Sequence, residues 1–207
     1  MFGLVLIITL KRCDIISIMD NNKQKIWFTS DTHFGHENII RYSDRPYRDK
    51  FEMDESLIEN WNSKIQPGDL VYHLGDVFFC NEERALQIIN RLNGQKFLIL
   101  GNHDKTVKRS EALKSMFIRI CDYHEITIEG QAMVLCHYPM MTWNRSSHGS
   151  WMLHGHCHGN LKYPFEAKIH DVGVDLNGYV PISFLDIQRI MANKKISIID
   201  HHGASQE

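Results

Sequence analysis

The chain has 207 residues, of which 43% are hydrophobic and 23% charged, and its formal net charge at pH 7 is -2. This length accommodates one domain with a sizeable core but is short for two. The nearly balanced charge excludes a global basic field that would attract long nucleic acid. The five cysteines are odd in number and lack C-x-x-C spacing, which favours reduced thiols in a cytosol over a disulfide framework.

The first ten residues are nearly all apolar, and Lys11 and Arg12 follow them. A secretory signal carries its basic residues before the apolar run, and this run is too short to span a bilayer. We therefore predict a leader outside the fold over residues 1–22, with an extra strand or a translation start at Met19 as alternatives. A single domain is predicted over residues 23–207, in a cytoplasmic protein without membrane association.

In the first half of the chain, predicted strands alternate with predicted helices. Residues 26–29, 70–74 and 97–100 are apolar runs of strand length. Apolar residues recur every four positions from Met53 to Ile65, which predicts an amphipathic helix, and a second helix is predicted over residues 82–92.

The second half is richer in strands. The predicted elements are a hairpin of residues 126–128 and 132–135, strands over residues 151–153, 169–176 and 196–199, and a helix over residues 183–191. Strand–helix alternation followed by a strand-rich half indicates two stacked sheets with helices outside them.

Short polar clusters follow the apolar runs at five places in the chain. They are Asp31-Thr32-His33, Gly75-Asp76, Gly101-Asn102-His103-Asp104, His137 and Gly155-His156-Cys157-His158. These carboxylates, imidazoles and amide match the ligands of a two-metal hydrolytic site, in which a carboxylate bridges two cations. Taken singly, each cluster has a plainer alternative: a helix cap for Asp31, a turn for Asp76, or a buried structural histidine for His137.

The order D-x-H, G-D, G-N-H-D, H and G-H-x-H resembles that of the calcineurin-like metallophosphoesterases, from about Lys25 to about Asn177. The resemblance implies an α/β fold, a four-layer α-β-β-α sandwich of two mixed sheets flanked by helices. It implies a hydrolase of phosphoric ester bonds with a binuclear metal centre, similar to small bacterial and phage phosphoesterases.

The resemblance also assigns the ligands. The first cation is expected on Asp31, His33, Asp76 and His158, and the second on Asp76, Asn102, His137 and His156. His103 is left to protonate the leaving group, with Asp104 holding its ring in one tautomer. If residues 156–158 are extended, Cys157 points away from the two histidines and is a packing residue.

The implied reaction is attack on phosphorus by a hydroxide that bridges two divalent cations. Mixed nitrogen and oxygen ligands suit Mn (manganese), Fe, Zn, Ni or Co better than Ca, and these residues do not select one of the five. We expect a small phosphoester substrate and favour a phosphodiesterase. The alternatives are a nuclease, which the charge does not support, a phosphomonoesterase on the same site, and a non-catalytic metal-binding interaction module.

Further residues are candidates for substrate binding. Residues 34–47 resemble a stretch in small bacterial and phage members of the family, and His36, Arg41 and Arg45 could contact the substrate phosphate there. Arg145, in a loop between His137 and His156, could bind phosphate bidentately. The alternative for His36, Arg41 and Arg45 is a helix cap followed by a solvated, charged loop.

Overall fold

A computed structural model of the protein describes residues 24–197. The predicted leader and residues 198–199 of the strand predicted over residues 196–199 lie outside this range, so both stay predictions. Within the described range, every helix is too short or too polar to cross a membrane.

The strands in chain order are β1 (Ile26–Thr29), β2 (Leu70–His73), β3 (Gln95–Ile99), β4 (Arg119–Cys121), β5 (Tyr123–Ile128), β6 (Gln131–Cys136), β7 (Trp151–His154), β8 (Ile169–Asp171) and β9 (Ile182–Ser183). The α-helices are α1 (Glu37–Tyr42), α2 (Lys50–Lys64), α3 (Glu82–Ile89), α4 (Lys105–Arg109), α5 (Glu111–Lys114) and α6 (Phe184–Ala192).

The strands form two mixed sheets. One has the order β4-β3-β2-β1-β9, in which β1 to β4 are parallel and β9 is antiparallel to β1. The other has the order β5-β6-β7-β8, in which β5 and β6 form the predicted antiparallel hairpin and β7 and β8 continue parallel to β6. The expected fold class, two mixed sheets with flanking helices, is confirmed.

Alternation along the strands of the first sheet builds two cores. Phe28 and Tyr72 face the second sheet, and their rings stack with centroids 5.5 Å apart. Trp27, Val71 and Leu98 face the opposite way and pack in the cluster that contains the apolar residues of α2 and α3. Because neighbouring side chains alternate across a strand, both faces of this sheet are buried.

Helix α2 follows the predicted periodicity. Met53, Leu57 and Trp61 are all buried against the first sheet. The helix begins after Asp49, whose carboxylate accepts hydrogen bonds from the N–H groups of Phe51 and Glu52, the usual arrangement of an N-cap.

The connections before and after β7 cover the outer face of the second sheet. Val134, Met152 and Ile169 point outward from this sheet and pack with Trp143 and Ala167. In the described residues this face is covered by irregular chain, whereas α2 and α3 cover the first sheet.

Three expected elements differ in the structure. The strand over residues 169–176 ends at Asp171, because the Asp171 carboxylate accepts a hydrogen bond from the N–H of Gly173 and turns the chain. Helix α3 ends at Ile89, where Asn90 caps it. Residues 156–158 form a turn, since His156 and His158 have left-handed backbone angles, so the extended segment expected there is wrong.

Candidate metal centre

The predicted ligands all lie just beyond the carboxyl ends of strands. They are Asp31 and His33 after β1, Asp76 after β2, Asn102 after β3, His137 after β6, and His156 and His158 after β7. β1, β2 and β3 are parallel neighbours in the first sheet, and β6 and β7 are parallel neighbours in the second. Their carboxyl ends therefore meet at one edge of each sheet, which is the usual place for sites in open α/β sheets.

Left-handed backbone is concentrated at these ligands. The φ angles of Asp31, His33, Asp76, His156 and His158 lie between 49° and 69°. Non-glycine residues rarely adopt this region of backbone angles, and each such residue destabilises the fold by about 1–3 kcal/mol. The surrounding structure supports this strain at the five positions, which turns the ligand side chains toward one another.

Glycines allow the loops to approach closely. A Cβ at Gly101 would lie 2.2 Å from Asp76 Oδ1, and a Cβ at Gly155 would lie 1.9 Å from Ser30 Oγ and 2.4 Å from Asp31 Oδ2. Any side chain at either position would push a candidate ligand out of place, which explains the glycine in G-N-H-D and in G-H-x-H.

Each of the two carboxylates uses one oxygen to fix its orientation. Asp31 Oδ2 accepts a hydrogen bond from the His156 N–H at 2.9 Å, and Asp76 Oδ1 accepts one from the His103 N–H at 2.8 Å. The other oxygens face histidines. Asp76 Oδ2 lies 3.6 Å from Nε2 of His33 and 3.6 Å from Nε2 of His137, so this single oxygen faces both rings.

Two histidines are oriented through their Nδ1 atoms. His137 Nδ1 donates to the carbonyl of Leu74 at 2.7 Å, which leaves the lone pair of Nε2 free to bind a cation. This Nε2 atom lies 3.1 Å from Asn102 Oδ1. His158 Nδ1 lies 2.6 Å from Asp175 Oδ2, and its Nε2 lies 3.9 Å from Asp31 Oδ1. Metal-binding histidines typically have such a partner on the other ring nitrogen.

The cluster fits divalent cations. Ligand atoms of Asp31, His33 and His158 lie within 4.8 Å of one another, and so do those of Asp31, Asp76 and His137. Asp31 Oδ1 and both ring nitrogens of His33 are buried without a hydrogen-bond partner. Buried polar atoms are otherwise almost always satisfied, so Asp31 Oδ1 and one of the His33 nitrogens match ligands of an ion.

The electrostatics of the cluster favour a positive charge within it. Burial raises the pKa of the Asp31 carboxyl to about 8, and burial lowers the pKa of His33 well below its usual value. Burial alone would lower the pKa of His158, but its hydrogen bond to Asp175 and the charges of Asp31 and Asp175 raise it. A cation would supply the charge that stabilises ionised Asp31 beside a neutral His33.

His103 lies at the exposed rim of the cluster. Its ring centroid is 5.6 Å from that of His33 and 5.4 Å from that of Phe79. Asp104 does not hold this ring, contrary to expectation. Its buried carboxylate accepts hydrogen bonds from the N–H groups of Asp76, Val77 and Gly101, so it fixes the loop that carries Asp76.

Arg45 has a different role from the phosphate contact predicted for it. The residue is 4% exposed, and its guanidinium donates to the carbonyls of Asp31 and Thr32 at 2.7 and 2.9 Å. It also forms two hydrogen bonds of 2.8 and 2.9 Å to the Asp175 carboxylate. Its donors are therefore used inside the protein, and it fixes the backbone of the first ligand loop.

The other predicted substrate residues are divided. His36 lies beside the candidate ligands, with its ring centroid 5.6 Å from that of His33. Arg41 is exposed on α1 and donates to Asn38 Oδ1 at 2.7 Å. Arg145 lines a cavity beside the β5–β6 hairpin, toward the amino end of β6, whereas His137 follows its carboxyl end. The placement of Arg145 at the phosphate is therefore wrong.

Sequence reasoning missed Asp175, Phe79 and Tyr138. Asp175 lies in the segment that was expected to be a strand, which hid its proximity to His158. The Asp171-Val172-Gly173-Val174-Asp175 pattern was an available turn signal, because Asp and Gly close together favour a turn. The two aromatic residues directly follow Phe78 and His137, and no spacing rule distinguishes them from core residues.

The chain is similar to known proteins along most of its length. The chain is 34% identical over 180 residues to the uncharacterised protein MJ1445 of Methanocaldococcus jannaschii, covering 84% of this chain and 94% of that protein. It is 26% identical over 194 residues to the Gene 66 protein of Mycobacterium phage D29, covering 81% of this chain and 96% of the phage protein.

A solved structure has the same fold. The crystal structure of AQ665, a protein of unknown function from Aquifex aeolicus, is 31% identical and superimposes with a TM-score of 0.65, covering 81% of this chain and 100% of that chain. The model of the calcineurin-like phosphoesterase family matches residues 24–206. With its ligand clusters in the family's order and gathered at one end of the paired sheets, this chain belongs to the calcineurin-like phosphoesterases.

Proposed function

We propose that the protein is a phosphodiesterase that uses two divalent cations. The observation that carries the proposal is the buried, unpartnered set of Asp31 Oδ1 and the His33 nitrogens, facing Asp76 and two further histidines. Two bound cations would neutralise the charge of the phosphoryl oxygens and lower the pKa of a coordinated water toward about 7.

The residues divide into two proposed ligand sets. Asp31, His33, Asp76 and His158 would hold one ion, and Asp76, Asn102, His137 and His156 the other. The position of Asp76 Oδ2 between two histidine Nε2 atoms, 3.6 Å from each, supports Asp76 as the shared ligand. The same donor set suits Mn, Fe, Zn, Ni or Co.

His103 is the proposed general acid. Its ring is exposed beside His33, while its own backbone N–H anchors Asp76 at 2.8 Å. A phosphoryl group held by the candidate ligands would therefore have its leaving oxygen within reach of this imidazole.

The arrangement of arginines supports a diester substrate. A dianionic monoester would benefit from fixed positive charges near the proposed ions. Arg45 is paired with Asp175, and Arg145 lines a cavity toward the amino end of β6, whereas the candidate ligand His137 follows its carboxyl end. A diester carries one negative charge, which two cations already balance.

The four cysteines of the described residues are all unpaired, which supports the proposed cytoplasmic location.

The test of substrate preference is a comparison of bis-p-nitrophenyl phosphate with p-nitrophenyl phosphate at equal metal and pH. We expect a higher kcat/KM for the diester. A tenfold preference for the monoester, about 1.4 kcal/mol in the transition state, would overturn the diesterase proposal. Metal binding without hydrolysis of either ester would favour an interaction module instead.

The test of the shared ligand is Asp76→Asn. One side chain serves both ions, so turnover should be abolished and metal content by elemental analysis should fall from two equivalents to one or none. Glu82→Gln, a carboxylate change on α3, serves as the control and should keep both ions. An active Asp76→Asn protein with two ions would refute the assignment.

A further inference from the structure

Two exposed aromatic side chains lie beside the metal centre and have no part in the mechanism above. Phe79 and Tyr138 are each 47% exposed. Single exposed apolar side chains are ordinary on protein surfaces, so exposure alone does not indicate binding. The position of these two rings is the informative feature.

Phe79 lies beside the first proposed ion site. Its ring stacks on His36 with centroids 3.9 Å apart and an interplanar angle of 20°. It also approaches the proposed general acid His103 at 5.4 Å. The backbone is fixed, because the Phe79 N–H donates to the Phe34 carbonyl at 2.8 Å. The Phe79 ring therefore stands next to the position expected for the leaving oxygen.

Tyr138 lies beside the second proposed ion site. Its ring centroid is 5.0 Å from that of His137 and 4.7 Å from that of His156. Its hydroxyl lies 3.4 Å from Asn102 Oδ1, which keeps the ring next to the ligands. The two rings thus flank the two groups of candidate ligands, and each presents aromatic surface to solvent.

We propose that these rings stack on a nucleobase, so that the substrate is a small phosphodiester in which one alcohol is a nucleoside. This inference rests on the proposed phosphodiesterase function. Stacking of a base on an aromatic side chain favours binding by roughly 5- to 150-fold and tolerates any base, because every base has a π face. The net charge of -2 disfavours a long nucleic acid, so the substrate is a single nucleotide diester rather than a polymer.

The experiment compares thymidine 5′-(p-nitrophenyl phosphate) with methyl p-nitrophenyl phosphate. In both, hydrolysis adds one water across the P–O bond to p-nitrophenol and releases p-nitrophenolate, leaving thymidine monophosphate or methyl phosphate. The leaving group and charge are the same, so the ratio of the two kcat/KM values reports the nucleoside alone. We expect a ratio of ten or more in favour of the thymidine ester.

Substitutions then locate the preference. Phe79→Leu and Tyr138→Leu should each reduce the ratio at least threefold, and the double variant should bring it close to one. Tyr138→Phe retains the ring and should retain the ratio. Phe51→Leu removes an exposed phenylalanine at the start of α2 and should change neither rate.

The outcomes separate this inference from the proposed function. If both esters are hydrolysed with equal kcat/KM, or if the leucine variants keep the full preference, the stacking proposal is wrong while the phosphodiesterase stands. If neither diester is hydrolysed by metal-loaded protein, the proposed function itself fails.

Discussion

At the scale of single residues, the centre depends on conformations that its side chains would not adopt alone. Five candidate ligands have left-handed backbone, and Asp31 and His33 are buried with unpartnered polar atoms. Such strain and desolvation destabilise the fold, and binding of the proposed cations would offset part of both. The ligand atoms are therefore held ready for ions at the expense of stability.

His103→Ala should lower kcat by roughly 10²–10⁴, the usual contribution of a positioned proton donor. Both ions should stay bound, because the contact to Asp76 Oδ1 is made by the backbone N–H, which alanine retains. Measurement of kcat with esters of increasingly acidic phenols tests the role, since the loss should shrink as the leaving group needs less protonation. A fall in metal content by elemental analysis would instead make His103 a ligand.

At the scale of elements, the loop after β8 supports the loops after β1 and β7. Asp175 contacts His158 at 2.6 Å and Arg45 at 2.8 Å, and Arg45 in turn holds the carbonyls of Asp31 and Thr32. Burial would raise the pKa of Asp175, but the hydrogen bonds from His158 and Arg45 lower it. An ionised Asp175 thus orients the His158 ring and neutralises a buried guanidinium.

Asp175→Asn should weaken metal binding by about 10–100-fold, measured by competition with a chelator, because His158 loses its charged partner. It should also lower the free energy of unfolding by about 3–5 kcal/mol, since Arg45 is left as a buried charge without a counter-ion. Asp186→Asn removes the acid of an exposed pair with Arg189 and is the matched control. Unchanged metal affinity in Asp175→Asn would contradict the orienting role.

At the scale of the whole molecule, buried histidines that are not themselves candidate ligands link stability to pH. Burial lowers the pKa of His73 to about 3 and the pKa values of His124 and His170 to about 4. In the unfolded chain each titrates near 6.5, so between that pH and its folded pKa the unfolded state binds a proton that the folded state does not. The free energy of unfolding therefore falls as the pH is lowered through this window.

Each of these histidines should contribute up to about 1.4 kcal/mol per pH unit below pH 6.5, until its folded pKa is reached. Urea unfolding at several pH values should show that His124→Gln reduces the slope between pH 6.5 and about 4. The exposed His148 provides the control, and His148→Gln should keep the slope of the parent protein. Equal slopes in the parent and His124→Gln proteins would show that His124 titrates normally when folded.

Local pattern was enough to predict much of the fold. Hydrophobic runs placed β1, β2 and β3, and the four-residue period of Met53, Leu57 and Trp61 placed α2. These signals are local, because side chains alternate along a strand and recur every turn of a helix. A single side-chain hydrogen bond can end an element while the apolar pattern continues. The hydrogen bond from the Gly173 N–H to the Asp171 carboxylate ends β8 in this way, so the pattern predicts a strand that is too long.

The residues that could form a metal centre are recognisable from the sequence, because ligand chemistry belongs to side-chain types and the clusters keep a recognisable order. The roles of the charged residues around them depend on the folded chain. Arg45 and Arg145 are the same residue type, yet one is buried against Asp175 and the other lies beside the β5–β6 hairpin. Such roles depend on contacts between residues distant in sequence, which the packing of the two sheets brings together and local spacing does not encode.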